Sequence, residues 1–129
     1  MLYKPGACNI GKNEIKKRYA FGVAGFALTA VLLFLYLYYN VSVGLFILLI
    51  IPLFAGFEGF YQGRLHFCAG FGMAGKYDFK GTRNEAGRVT DRKQHRLDVL
   101  RSMSIHIYSL YSAETVIVLL LIIHGLLST

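Results

Sequence analysis

Three long stretches of this sequence are apolar and almost free of charge, and they restrict the chain to a membrane. Residues 19–39 and 41–57 contain no charged side chain, and residues 115–127 contain only His124. The hydrocarbon core of a bilayer is about 30 Å thick, which roughly 20 apolar residues cross as a helix. Together with their flanks, the three stretches predict an all-α integral membrane protein with three transmembrane helices, forming a single domain over residues 1–129.

The distribution of positive charge predicts an orientation. The net charge of +7 comes from Lys and Arg that precede the first span or lie between the second and third, whereas the link at Asn40 and the C-terminus have none. Cytoplasmic loops are enriched in Lys and Arg. We therefore predict a multi-pass protein of the inner (cytoplasmic) membrane, with the N-terminus and residues 64–101 in the cytoplasm and Thr129 on the opposite side.

The same basic residues indicate which partners to expect. Anionic lipid headgroups attract Lys and Arg near a membrane surface. Proteins that bind single-stranded nucleic acid add aromatic side chains on which bases stack, and the basic run shows no such platform. We predict a bilayer with anionic headgroups as a partner, together with other membrane subunits or a second copy of the chain, and no nucleic acid.

The first two spans are predicted to form a tight hairpin, because the link around Asn40 is too short for any other connection. Asn13 is the predicted N-cap of the first helix. Pro52 is predicted to kink the second span in its middle, since proline removes a helical hydrogen bond. Small residues let membrane helices approach closely. The glycines predicted to pack in this way, against the neighbouring span or a second copy, are Gly22, Gly25, Gly56, Gly59 and Gly63.

The rest of the chain is predicted to leave the membrane and return. Residues 63–75 are rich in glycine and predict a tight or partly membrane-dipping turn, and residues 76–89, with Gly81, predict a polar loop. From Thr90 onward no residue interrupts a helix before Gly125. We predict a basic amphipathic helix that continues into the third span, about 50 Å long at 1.5 Å per residue, with its basic part projecting into the cytoplasm.

Two carboxyl side chains, Glu58 and Glu114, lie inside predicted spans. Ionisable groups in a span are rare and mark ion or proton pathways by default. A structural role is the alternative, in which Glu58 bonds to Tyr61 or Arg64 and Glu114 pairs with a nearby tyrosine or histidine. Both are candidate functional residues.

Cys68 is a candidate reactive thiol. His66 and Arg64 precede it closely in a glycine-rich turn, and cationic neighbours favour the thiolate. The alternative is a small buried residue that only packs. Because the predicted topology places Cys8 and Cys68 in the cytoplasm, no structural disulfide is expected.

The histidines are possible ligands for haem or a metal. His106 and His124 lie at opposite ends of the third span, so they cannot share a haem, and the remaining pair, His66 and His106, has no supporting motif. Two cysteines and a histidine do not provide the four ligands of a structural zinc site. We predict no cofactor and no metal site.

Residues 9–22 read NIGKNEIKKRYAFG and resemble the opening signature of the YgaP-like transmembrane domain family, N-x-G-x-x-D-R-x-x-R-x-x-x-G. The matching residues are Asn9, Gly11, Arg18 and Gly22. Glu14 replaces the family's Asp, and Ile15 replaces its first Arg.

Residues 68–75, CAGFGMAG, resemble the second signature of that family, C-P-x-Y-x-x-x-G, with Cys68 and Gly75 in place. Ala69 stands for the proline and Phe71 for the tyrosine. The resemblance covers residues 8–78 and implies a two-helix hairpin that dimerises, with both signatures on the cytoplasmic side. Some members are fused to a sulfur-carrying rhodanese domain. The resemblance does not extend to residues 79–129, which hold the basic loop, the amphipathic helix and the third span.

Three functions are compatible with these features. The favoured one is a small non-catalytic accessory subunit of a larger membrane complex or oligomer, because the residues provide no set of nucleophile, base and orienting group. The second is a thiol or sulfur-handling protein that uses Cys68. The third is a small proton-coupled carrier that uses Glu58 and Glu114. We predict no catalytic residue.

Overall fold

The computed structural model describes residues 2–80 and 85–129, most of which are helical. The elements in chain order are α1 (Lys12–Tyr38), a 3₁₀ helix (Val43–Leu49), α2 (Ile50–Leu65), α3 (Ala69–Ala74), β1 (Lys76–Asp78), β2 (Ala86–Arg88) and α4 (Arg92–Leu127). Within the described residues, Lys12–Tyr38, Val43–Leu65 and Arg92–Leu127 are each long and apolar enough to cross a membrane. The predicted fold, a helical hairpin followed by a long third helix, is confirmed.

Glycines hold α1 and α2 together as an antiparallel pair. A Cβ atom added at Gly25 would lie 2.5 Å from the backbone nitrogen of Gly56, and one added at Gly59 would meet the backbone of Gly22 and Arg18. Such distances leave no room for a side chain, so the two backbones are in direct contact. The predicted packing glycines therefore face the neighbouring helix within the same chain.

The second span is divided differently from the prediction. Residues Val43–Leu49 form a 3₁₀ helix, and α2 begins only at Ile50. Pro52 therefore lies in the first turn of α2, where a backbone N–H has no partner inside the α-helix and its absence costs little. The second span Val43–Leu65 therefore changes from 3₁₀ to α-helix two residues before the proline, and the kink at Pro52 stays a prediction.

The N-cap residue of α1 differs from the predicted Asn13. Gly11, in extended conformation, is the N-cap residue and no side chain caps the helix. The N–H of Gly11 donates instead to the carbonyl oxygen of Asp78 (2.8 Å), so a contact with β1 sets this helix end. Asn13 is exposed in the first turn.

Helix α4 packs against the hairpin through one narrow stripe. The buried residues of the stripe recur at helical spacing and are Asp98, Ser102, Ile105, Ser109, Ala113 and Ile117. Ala113 and Ile117 form a buried apolar cluster with Leu49 and Leu53. The 36 residues of α4 extend over about 54 Å, so its basic first turns project beyond the other spans. Gly125 does not end the helix, and a Cβ added there would have nothing within 4 Å among the described residues.

The segments predicted as a turn and a loop contain regular structure. Residues 63–75 include α3, which ends at Gly75 in left-handed conformation (φ +66°). β1 and β2 pair antiparallel, with Lys76 opposite Arg88, and Ile10 pairs with Asp78 as a parallel bridge. The predicted loop residue Gly81 lies outside the described residues. We call residues 2–11, α3, β1 and β2 the end layer, because together they cover the basic end of the helices.

Candidate functional site: the junction of the end layer and the helices

Asn9 joins the N-terminal segment to the turn between α2 and α3. Its side chain is fully buried and forms two hydrogen bonds with the backbone of Cys68. Nδ2 donates to the Cys68 carbonyl oxygen (3.0 Å), and the Cys68 N–H donates to Oδ1 (2.6 Å). The Asn9 N–H also donates to the carbonyl oxygen of His66 (3.2 Å). An amide side chain is suited to this position, since it supplies one donor and one acceptor side by side.

The Cys68 thiol is buried and has a structural partner. Its Sγ accepts a hydrogen bond from the N–H of Phe71 (3.4 Å), which makes Cys68 the N-cap of α3. Arg64 and His66 are exposed, and no hydrogen bond within the described residues joins either of them to the thiol. His66 instead adopts left-handed backbone conformation (φ +55°) and ends α2. Arg64, His66 and Cys68 therefore lie close together in the chain, but neither Arg64 nor His66 hydrogen-bonds to the Cys68 sulfur within the described residues.

Asp98 attaches the N-terminal segment to α4. This fully buried carboxylate accepts hydrogen bonds from the Tyr3 hydroxyl (2.7 Å) and from the N–H of Gly6 (2.7 Å). Burial, and then the hydrogen bond to Asp98, raises the pKa of Tyr3 above its ordinary value. Burial also raises the pKa of the Cys8 thiol, whose Sγ lies 3.8 Å from the carbonyl oxygen of Ile10. In both cases burial favours the neutral form of the side chain.

Glu58 belongs to a polar network between α2, α3 and α4. Its carboxylate, which is 5% exposed, lies 2.7 Å from Nδ1 of His106 and accepts a hydrogen bond from Nε2 of Gln62 (2.6 Å). Gln62 Oε1 in turn accepts a bond from the Ala69 N–H (3.4 Å). The predicted partners, Tyr61 and Arg64, were wrong. Glu58 lies one turn before Gln62 and faces α4, so its hydrogen-bond partner His106 comes from a distant part of the chain.

Glu114 is placed very differently from Glu58. It is exposed on α4 and makes no hydrogen bond or ion pair with any residue in the described ranges. The predicted pairing with a nearby tyrosine or histidine is therefore not found there. About two helical turns, or 12 Å, separate it from His106 along α4. The structure does not bring the two intramembrane carboxyl groups together.

The two segments that carry the family resemblance meet at this junction. Asn9 of the first segment bonds to Cys68 of the second, as described above. Glu14 pairs with Arg18 (3.1 Å), and the Arg18 guanidinium lies 5.7 Å from the ring centre of Phe71. Gly11 packs against the backbone of Phe79, where a Cβ would be 3.2 Å from the Cα atom. Of these contacts, the one between Arg18 and Phe71 joins α1 directly to the end layer.

Sequence reasoning missed Asp98, Gln62 and Ser102 as functional or structural centres. Ser102 donates toward the carbonyl oxygens of Ala69 (2.9 Å) and Asp98 (2.8 Å), and so connects α4 to α3. A signal was available, because Asp98 is the one acidic residue within the basic first turns of α4 and begins a stripe of small polar residues at helical spacing. Among the described residues, no group of three or more His, Cys, Asp or Glu is arranged to hold a metal ion.

Comparison of the chain with protein-family models, with curated proteins and with solved structures gives no match. The assignment of function therefore depends on the geometry of the chain itself.

Proposed function

We propose that this chain is a small non-catalytic subunit that assembles with other proteins in the membrane. The observation that carries the proposal is that the side chains of the candidate site are hydrogen-bonded within the fold. The Cys68 thiol caps α3, Asn9 bonds to the backbone, and Glu58 is held between His106 and Gln62. Each of these groups takes part in hydrogen bonds that support the fold, and not in a set of nucleophile, base and orienting group.

The exposed surface of α4 is the second support for assembly. Only its narrow stripe is buried, and the remaining surface includes polar or aromatic side chains at membrane depth, such as Tyr108, Tyr111 and Glu114. Hydrocarbon cannot hydrogen-bond to a carboxyl or hydroxyl group, whereas a protein neighbour can. A partner helix would therefore supply the hydrogen bonds that lipid cannot offer to these side chains.

We further propose that the basic end faces the cytoplasm of a cell with an inner membrane. All of the Lys and Arg residues lie within residues 4–18 and 64–101, and the link between the first two spans and the C-terminus have none. Anionic headgroups would then lie against Arg92, Lys93 and Arg96, which are exposed on one side of α4. A membrane-impermeant thiol reagent that labels Ser128→Cys in intact cells supports this orientation, and labelling only after the membrane is opened contradicts it.

The resemblance of residues 8–78 to the YgaP-like hairpin family remains a proposal. Its support is that Asn9 and Cys68, which belong to the two different signatures, are bonded to each other. Such a bond gives a physical reason for the two signatures to occur in one chain. In this proposal the Cys68 position serves the fold and not sulfur transfer.

Purification from native membranes in a mild detergent, followed by native mass spectrometry, tests the proposed function. We expect the chain in a fixed stoichiometry with at least one other membrane protein. Cys68→Ser should leave the complex intact, because a serine hydroxyl also accepts the N-cap hydrogen bond. Cys8→Ser is the matched control. A chain that elutes alone would overturn the proposal, as would a complex whose measured activity is abolished by Cys68→Ser while its composition is unchanged.

A further inference from the structure

We propose that α4 binds, around Glu114, a transmembrane helix of another protein that carries a Lys or Arg at the middle of the bilayer. The inference deepens the proposed function, since it names the surface that a partner would use and the chemistry of that partner.

The packing level of Glu114 places it near the middle of the bilayer in this proposal. Its neighbour Ala113 packs in one cluster with Leu53, which is close to the centre of the 23-residue span Val43–Leu65. A glutamate side chain is too short to reach either interface from this depth, in contrast to a lysine near the end of a helix. The carboxyl group must therefore find its polar partner at the same level.

The surroundings of Glu114 supply no such partner in the described parts of the chain. The side chain is exposed and borders a shallow depression of about 260 Å³ together with Tyr111, Thr115, Val118 and Leu119. The Thr115 hydroxyl already donates to the carbonyl oxygen of Tyr111 (2.8 Å). An acidic side chain without a polar partner at the centre of a spanning helix is unfavourable. The depression offers a neighbouring helix a place to pack beside it.

A second copy of this chain does not supply the missing charge. Residues 19–63 and 102–129 contain no Lys or Arg, so no copy brings a strong cation to this depth. Two copies in the same orientation that met through α4 would place one Glu114 beside the other, and like charges at close range repel. Charge complementarity therefore favours a different protein, with a basic residue in its span.

The proposal is tested by fluorescence energy transfer in phosphatidylcholine vesicles that contain the full chain. The chain carries a donor dye on Ser128→Cys in a Cys8→Ser, Cys68→Ser background. The acceptor is on a synthetic transmembrane helix of leucine and alanine with one central lysine. A second peptide has leucine in place of that lysine. Glu114→Gln removes the charge while keeping nearly the same shape, and Val31→Ala, on an exposed face of α1, is the matched control.

We expect the lysine peptide to associate roughly tenfold more strongly than the leucine peptide, which corresponds to about 1.4 kcal/mol. Glu114→Gln should abolish this preference, and Val31→Ala should retain it. Equal association of the two peptides would overturn the proposal, as would a lysine preference that survives in Glu114→Gln. Energy transfer between two copies of the chain that depends on Glu114 and exceeds that with the lysine peptide would identify a second copy as the occupant and would also overturn it. If a native complex is isolated but is insensitive to Glu114→Gln, this inference fails while the proposed function stands.

Discussion

Replacing Asn9 with alanine should loosen the junction between the end layer and the helices. In the native structure its side chain satisfies both the N–H and the carbonyl oxygen of Cys68, in a position that water does not reach. Alanine leaves both groups without a partner. A buried polar group left unpaired costs about 1–3 kcal/mol, so the expected loss for the two groups is about 2–6 kcal/mol. The loss should be local, because the contacts between α1 and α2 do not involve Asn9.

The rate at which a maleimide alkylates Cys68 measures this opening. Cys68 is 3% exposed, so reagent reaches it only when the end layer moves away. Each 1.4 kcal/mol of lost local stability raises the open population tenfold. In a Cys8→Ser background, where Cys68 is the only thiol, Asn9→Ala should therefore react between about 30-fold and about 20,000-fold faster than the parent chain.

Two further variants distinguish the loss of the hydrogen bonds from the loss of side-chain volume and from a nonspecific effect of substitution. Asn9→Asp keeps the shape but replaces the donor with an acceptor, so it should also accelerate alkylation. Asn13→Ala changes an exposed asparagine in the first turn of α1 and should leave the rate unchanged. If Asn9→Ala and Asn13→Ala react at the same rate, the Asn9 bonds do not hold the junction and the reasoning is refuted.

Three other perturbations test separate contacts. Gly59→Ala should lower the free energy of unfolding of the detergent-solubilised chain, measured by thermal unfolding, by about 3 kcal/mol, because the added Cβ would meet the backbone of α1. The control Gly125→Ala should be neutral or stabilising. Equal effects of the two changes would show that the glycine contact is unimportant. Cys68→Ala should cost about 1 kcal/mol through loss of the N-cap and Cys68→Ser should cost less; a larger loss in the serine variant would contradict the capping role. Folding raises the pKa of the Tyr3 phenol above its ordinary value of 10.0. The burial and hydrogen bond of the neutral phenol therefore stabilise the folded chain fully below pH 10.0, and this contribution is lost as the pH rises through the higher folded pKa. In an alkaline absorbance titration, the difference between the native chain and Tyr3→Phe should therefore show one phenol that ionises later than a free tyrosine, and a normal titration would disprove the bond to Asp98.

The membrane helices and their pairing could be predicted from the sequence because their signals are local. Long uncharged stretches mark the spans, a short link at Asn40 makes the first two neighbours, and glycines such as Gly25 and Gly59 mark where backbones touch. Each of these depends on residues within a single span or on the length of one connection.

The end layer could not be predicted in the same way, because its contacts are distant in sequence. Asn9 hydrogen-bonds to Cys68, Tyr3 hydrogen-bonds to Asp98, and Ile10 pairs with Asp78 of β1. Strands of three residues and a helix of six carry almost no periodic pattern of their own. The family resemblance drew attention to Asn9 and Cys68, but the bonds between them appear only in the folded chain.

Glu58 and Glu114 illustrate the same limit within the membrane. Both are carboxyl groups in apolar stretches, and their sequence surroundings do not distinguish them. Their roles diverge because Glu58 faces α4 and meets His106, whereas Glu114 faces away from the hairpin. The direction in which a residue of α4 points depends on which stripe of the helix packs, and that choice is set by Ser102, Ser109 and their neighbours on α2 and α3.

Photo-crosslinking in native membranes tests most directly whether the chain acts as a subunit through α4. A photoreactive residue in place of Val118, beside Glu114, should form a crosslink to one other membrane protein that has a Lys or Arg within a span, and Glu114→Gln should abolish it. The same residue at Val31 should not form that crosslink. Crosslinks at Val118 to lipid alone, or to a second copy of this chain, would contradict the account.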